Sequence, residues 1–186
     1  LEETQQGLKE QSALLAASTA VSSSLDLRTM LKHLAEQMGR AIDATSVYIC
    51  EWNQAANTST VVVEYYGPNA SAVERMSDLG VTYDLTTDYG LTPLWQQPGG
   101  SLVAHVDDED LSPHRAAHLR QYGCWSVLTV GLTAKAKVFG YIELWETRQR
   151  RTFTRDEVAL CQAIAQQAAI AFENARLFEA ERKQLR

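Results

Sequence analysis

Cysteine is scarce and odd in number. Cys50, Cys124 and Cys161 are the only three among 186 residues, and no two lie close together. Such spacing describes neither a disulfide framework nor a thiolate zinc site, and reads as three small apolar side chains inside regular elements. Long apolar runs are also missing. No stretch approaches the roughly 20 residues of a membrane span, and no basic leader with an apolar segment behind it opens the chain. Positive charge is spread thinly: 17 Lys and Arg stand against 23 Asp and Glu, a net charge of −6. With a pI near 5.2, the chain offers no basic surface for nucleic acid or an anionic membrane. The densest basic run, Arg148, Arg150, Arg151 and Arg155, reads as a solvated loop. Ser-His-Asp arrangements, paired-carboxylate motifs and phosphate-cradling glycine loops are absent, and the acidic run Asp107 to Asp110 reads as a solvated turn rather than a metal cluster. No catalytic residue and no metal site is assigned.

What is present is the material of one core. At 45% apolar and 22% charged residues, the chain is long enough for a complete domain and too short for two comfortable ones. A helix is predicted through about Ser24, with Leu8, Leu14, Leu15 and Val21 among polar and Ala-rich residues. The serine run 22–24 breaks it, and Asp26 is placed to cap a second helix whose Leu27, Leu31, Leu34, Met38 and Ile42 share one face. SVYICEW and TSTVVVEYYG follow as strands of a hairpin. Residues 68–113 are weakly patterned, as binding loops are. Within them DYGLTPLWQQ reads as a short helix, SLVAHV as a short strand, and SPHRAAHLRQYG as a helix ended by Gly123. Opening on Leu1 rather than methionine, the chain is expected to be a piece of a longer protein.

The last third is the most explicit. Thr154 and Glu157 form a capping-box pattern, with Asp156 and Glu157 at the positive end of the helix dipole, and no proline or glycine follows to the chain end. At about 1.5 Å per residue that helix spans about 45 Å, longer than a small domain is wide. Val158, Cys161, Ala165, Ala168, Phe172 and Ala175 form a stripe suited to a sheet. Leu160, Ile164, Gln167, Ala171, Asn174, Phe178, Glu181 and Leu185 follow a heptad, and Leu160, Ile164, Ala171, Phe178 and Leu185 are expected to meet a second copy. The alternative is a single wide core-facing stripe with a frayed tail.

CWSVLTVGL, a short Ala-Lys turn, VFGYIELWE, FTRDE and QAAIAFENARLFE, in that order, resemble the second half of a GAF domain. LDLRTMLKHLAEQMGRAIDATSVYICEW resembles its opening helix and first strand. The resemblance implies an α+β fold related to PAS domains and profilin: a central antiparallel sheet of five to six strands, helices on both faces, terminal helices packed together. It divides the chain into an incoming helix (1–24), the GAF domain (25–175) and an outgoing linker helix (176–186). It also implies a non-catalytic sensory module of a cytoplasmic bacterial signalling protein. Such a module binds a small molecule and signals through dimeric terminal helices to a downstream output domain in the same polypeptide, with no direct membrane contact. A histidine kinase is the first expectation for the parent, with a phosphatase or a cyclic-di-nucleotide enzyme as others. In this family the pocket lies between the irregular middle and one sheet face, which makes Trp95, His105, His114, His118, Tyr122, Tyr141 and Trp145 the pocket candidates. A ligand-free dimerisation module is the alternative; a haem or atypical bilin sensor using His114 or His118 is a third.

Departures from the family's ligand motifs narrow the cofactor, which stays unidentified. Cyclic-nucleotide-binding members carry an Asn-Lys pair ahead of Phe and Asp-Glu; Phe153, Asp156 and Glu157 match the second half, but Thr147 and Arg148 stand where Asn and Lys would be. Bilin-binding members attach the chromophore to a Cys usually followed by His; counting back from Leu119 places His114 and Arg115 there, so no thioether and no covalent bilin is expected. Members resembling methionine sulfoxide reductases need cysteines in the pocket loop, and residues 78–112 have none.

Overall fold

The computed structural model describes residues 5–14, 27–87 and 89–185. Residues 5–14 are helical (α1); the expected continuation to Ser24, the serine break and the Asp26 cap lie outside the described residues. There follow α2 (Leu27–Ile42), β1 (Ser46–Asn53), β2 (Thr58–Tyr66), β3 (Thr82–Asp84), α3 (Thr92–Gln96), β4 (Ser101–His105), α4 (Pro113–Gln121), β5 (Ser126–Ala134), β6 (Lys137–Glu146) and α5 (Arg155–Gln184). The six strands form one sheet in the order β3-β2-β1-β6-β5-β4, and every pairing is antiparallel. This is the expected α+β architecture, with one strand, β3, that the three residues TYD were too few to announce.

Alternation along the strands gives the sheet two apolar faces. Val47, Ile49, Val63, Leu128, Val130, Ile142 and Leu144 point to α2 and α5, where they bury Leu31, Leu34, Met38, Cys161, Ile164 and Ala168. Tyr48, Cys50, Val61, Val127, Tyr141 and Trp145 point the other way, toward Leu94, Leu119 and Tyr122. All three cysteines are free and buried. A sheet buried on both faces explains why β5 and β6 read as nearly continuous apolar runs.

One close approach and one turn depend on residue type. A Cβ on Gly140 would sit 2.3 Å from the Cys50 carbonyl oxygen of the neighbouring strand, so the glycine that interrupts the β6 pattern is what lets β6 lie against β1. The β5–β6 hairpin turns on Lys135 and Ala136, with φ of 51° and 62°. Both occupy the left-handed region that a two-residue turn requires and that L side chains disfavour.

Helix α5 starts at the predicted cap. The Thr154 side chain accepts from the Glu157 amide, and the Glu157 carboxylate accepts from the Thr154 amide. The heptad assignment needs correction. Leu160, Ile164 and Ala171 are buried at 6%, 0% and 2% exposure, and the first two belong to the cluster shared with α2. The second helix that this stripe meets is the chain's own α2. Phe178 and Leu185, further along, are exposed.

The basic run also differs from its reading as a solvated loop. Arg148 binds the Asp43 and Glu146 carboxylates at 2.9 and 2.8 Å, and Arg151 binds Glu157 at 2.5 Å. Arg151 also donates to the Ile42 carbonyl. Together they tie the end of α2, the end of β6 and the start of α5. The acidic run is partly engaged as well, with Asp107 accepting from Arg150 and Asp108 from the His105 amide.

Candidate functional site

Opposite α2 and α5, the irregular middle of the chain covers the second sheet face and leaves a cavity. Period-two alternation puts Tyr48 and Cys50 of β1 and Tyr141, Glu143 and Trp145 of β6 on that face. Helix α4 supplies Arg115 and His118, one turn apart, and the stretch from Asp78 to Tyr89 supplies Asp78, Tyr83, Leu85 and Tyr89. Ser112 fixes the start of α4 by accepting from the Arg115 amide, and Gly123, at φ +66°, releases the chain after it. The cavity has a volume of about 30 Å³, room for about two water molecules. Leu85 and Tyr89 also line an outer groove of about 320 Å³ with Trp52, Asn57, Leu91 and Trp95.

The polar groups of the cavity are organised around a buried ion pair. Arg115 Nη1 lies 3.1 Å from Glu143 Oε1, with both side chains almost wholly buried. Glu143 Oε2 accepts from the Trp145 indole N–H at 2.8 Å. Burial pushes the Glu143 carboxyl up, but the guanidinium of Arg115 and the Trp145 bond outweigh it, and the group is held below its ordinary range. His118 lies among the rings of Tyr83, Tyr89, Tyr122 and Trp145, at centroid distances of 5.2 to 6.3 Å. Burial lowers its pKa and keeps it neutral. The Tyr141 hydroxyl shares a 2.7 Å bond with Ser59, and burial pushes Tyr48, Tyr141 and Cys50 far up, so none of them ionises near neutrality. At the cavity's edge Tyr83 donates to Asp78 Oδ2 at 2.8 Å. Asp78 is raised by burial, against the lowering effect of that bond.

The sequence candidates fall into three groups. His118, Tyr141 and Trp145 line the cavity. Trp95 lines the outer groove instead, stacked on Trp52 at 4.0 Å and 4°. Tyr122 is buried beside the rings of His118 and Trp145, and the His114 ring lies 6.4 Å from that of Tyr89. His105 is turned to Ser126, its Nδ1 2.7 Å from the hydroxyl, and lines neither space. Among the described residues no group of three or more His, Cys, Asp or Glu side chains is placed to hold a metal ion. The sequence reading missed Arg115, Glu143, Asp78, Tyr83 and Tyr89. Alternation with Tyr141 and Trp145 carried the signal for Glu143, and helical spacing from His118 carried it for Arg115. Asp78 and the two tyrosines lie in irregular backbone that has no periodicity to read.

A GAF domain family model matches residues 26–172. No curated protein matches the sequence. Among solved structures, the phycoerythrobilin-bound GAF domain of a cyanobacterial phytochrome superposes with a TM-score of 0.76 at 16% identity, over 91% of this chain and 97% of that one. The phycocyanobilin-bound GAF domain of a cyanobacterial phytochrome gives 0.74 at 18% identity, over 90% and 96%. A bacteriophytochrome from R. palustris gives 0.75 at 12% identity over 92% of this chain, which spans only 38% of that longer protein. At these identities the likeness is one of fold. With the family match covering most of its length, the chain belongs to the GAF domain family.

Proposed function

We propose that this is a non-catalytic sensory domain in which a small molecule, bound without covalent attachment beside the Arg115–Glu143 pair, shifts the arrangement of the terminal helices. One observation carries the reading. Strand β6 presents Tyr141, Glu143 and Trp145 to the cavity and Ile142 and Leu144 to the core of α2 and α5, so a change at the cavity is one residue away from the helix-packing face. A ligand moves such a system only by binding one arrangement better than the other. The bilin-bound neighbours support a bound small molecule as a use of this fold. This chain keeps no accessible thiol there: Cys50 lies buried on β1, and the cavity of about 30 Å³ is far below the few hundred Å³ of an ordinary small-molecule site. A haem on His118 meets the same obstacle.

The setting we propose is a cytoplasmic bacterial signalling protein, with a histidine kinase as the first candidate, working as a dimer through its terminal helices. No described helix is long and apolar enough to cross a membrane. The small cavity favours one second reading, a ligand-free dimerisation module. Native mass spectrometry of the purified domain, with its denatured mass, separates the two. A reproducible extra mass supports the sensor, and a clean apo dimer supports the dimerisation module.

A further inference from the structure

Two polar side chains of the cavity wall make no hydrogen bond among the described residues: the ring nitrogens of His118 and the Tyr89 hydroxyl are unpartnered, although both side chains line the cavity. Neither group is sealed, since Asp78 Oδ1 is the one closed-off side-chain atom of those residues that lacks a partner. Tyr83, Tyr89, Tyr122 and Trp145 pack on His118 ring to ring. Most other polar groups of the wall are engaged: the Trp145 N–H with Glu143, the Tyr141 hydroxyl with Ser59 and the Tyr83 hydroxyl with Asp78. Arg115 spends Nη1 on Glu143 and keeps further N–H donors.

Polar groups withdrawn from bulk water are normally bonded, and these two set the terms for what bonds them. A neutral imidazole and a phenol each donate one hydrogen bond and accept another, so the complementary group must do both. Charge is excluded. Arg115 and Glu143 balance each other, His118 is neutral, and the Asp78 oxygens are closed, one sealed and the other bonded to Tyr83, so an ion would enter without a counter-ion. Size decides among the neutral groups. The cavity of about 30 Å³ has room for about two heavy atoms, which fits a CH2–OH and not the three-atom head of an amide. Leu85 and Tyr89 line both the cavity and the outer groove, where Trp52 and Trp95 add aromatic surface. We infer that the site takes a neutral primary alcohol with an aromatic body, its hydroxyl bonded to His118 and Tyr89 and its ring in the outer groove beside Trp52 and Trp95. This rests on the reading of the cavity as a ligand site and adds the chemical class.

3-Phenylpropan-1-ol is the probe, with 3-phenylpropionate, 3-phenylpropylammonium and propylbenzene as its anionic, cationic and apolar counterparts, titrated by NMR against the whole domain. The alcohol should bind roughly tenfold or more tightly than either ion. It should lose about three- to tenfold in affinity in His118→Phe and in Tyr89→Phe, the range that a neutral hydrogen bond is worth. Propylbenzene, which makes no such bond, should lose nothing in either variant. Tyr89→Phe keeps its ring and removes one oxygen, so the test survives if His118→Phe disturbs the fold. An ion that binds as tightly as the alcohol, an alcohol affinity unchanged in the variants, or an equal loss for propylbenzene overturns the inference. If none of the four binds while native mass spectrometry finds a retained molecule that is charged or has no hydroxyl, the alcohol falls and the ligand site stands; a retained neutral alcohol supports it. If none binds and no mass is retained, both fall.

Discussion

Arg115 and Glu143 are each nearly inaccessible to solvent and hold each other in place across α4 and β6. Removing one partner strands a buried charge, whereas replacing both with apolar groups need not cost stability. Arg115→Met should therefore destabilise the domain by about 3–5 kcal/mol, and Glu143→Leu added to it should restore most of the loss. Urea unfolding of the two single variants and the double variant measures this; additive losses would mean the pair is not coupled. The same pair sets an acid limit. Because Glu143 titrates below its ordinary 4.5 in the fold, its contribution is fully present above that value and is lost as pH falls through the lower, folded one. Stability measured from pH 6 downward should fall less steeply in Glu143→Gln. Much of this site was legible in principle. Tyr141, Trp145 and His118 stood out as aromatic or polar-tipped residues near the irregular middle, and alternation and helical spacing placed Glu143 and Arg115 beside them. Asp78 was not legible, because its role depends on a tertiary position that no local pattern encodes.

At the scale of elements, the sequence spoke most clearly where a local rule had one solution. The capping box at Thr154 and Glu157, the apolar face of α2 and the alternating strands all formed as their patterns indicate. It spoke least clearly where one pattern had two solutions: the Leu160–Ile164 stripe fits another chain or the chain's own α2 equally well, and only the packed domain decides. The β5–β6 hairpin breaks a local rule outright, with two non-glycine residues at positive φ. Ala136→Gly should relieve that strain and raise stability by about 1 kcal/mol, seen as a higher denaturation midpoint. Gly140→Ala, four residues on, should do the opposite. Its Cβ meets a backbone oxygen rather than a flexible side chain, so the two strands must part, at a cost of about 3 kcal/mol or more. A Gly140→Ala domain as stable as wild type would show that β1 and β6 do not pack this closely.

At the scale of the molecule, α5 has two halves that differ in burial. Up to Phe172 its side chains close the core over the sheet, the Phe172 ring meeting Phe139 at 5.3 Å. Beyond it the helix runs to Gln184 with Leu177 and Phe178 at 49% and 58% exposure. Phe178 has the Arg182 guanidinium over its ring at 6.0 Å. Large apolar side chains on a projecting helix gain free energy only by being covered, and in the dimer proposed above a second α5 would cover them. The two halves can be told apart by one kind of substitution. Ile164→Glu places a charge in the core and should unfold the domain or lower its Tm sharply. Phe178→Glu should leave the Tm of a dilute sample nearly unchanged and shift the sedimentation coefficient from dimer toward monomer. If Phe178→Glu sediments as wild type, α5 does not form the seam; if both substitutions unfold the domain, the outer half of α5 is part of the fold and not a connection to a partner.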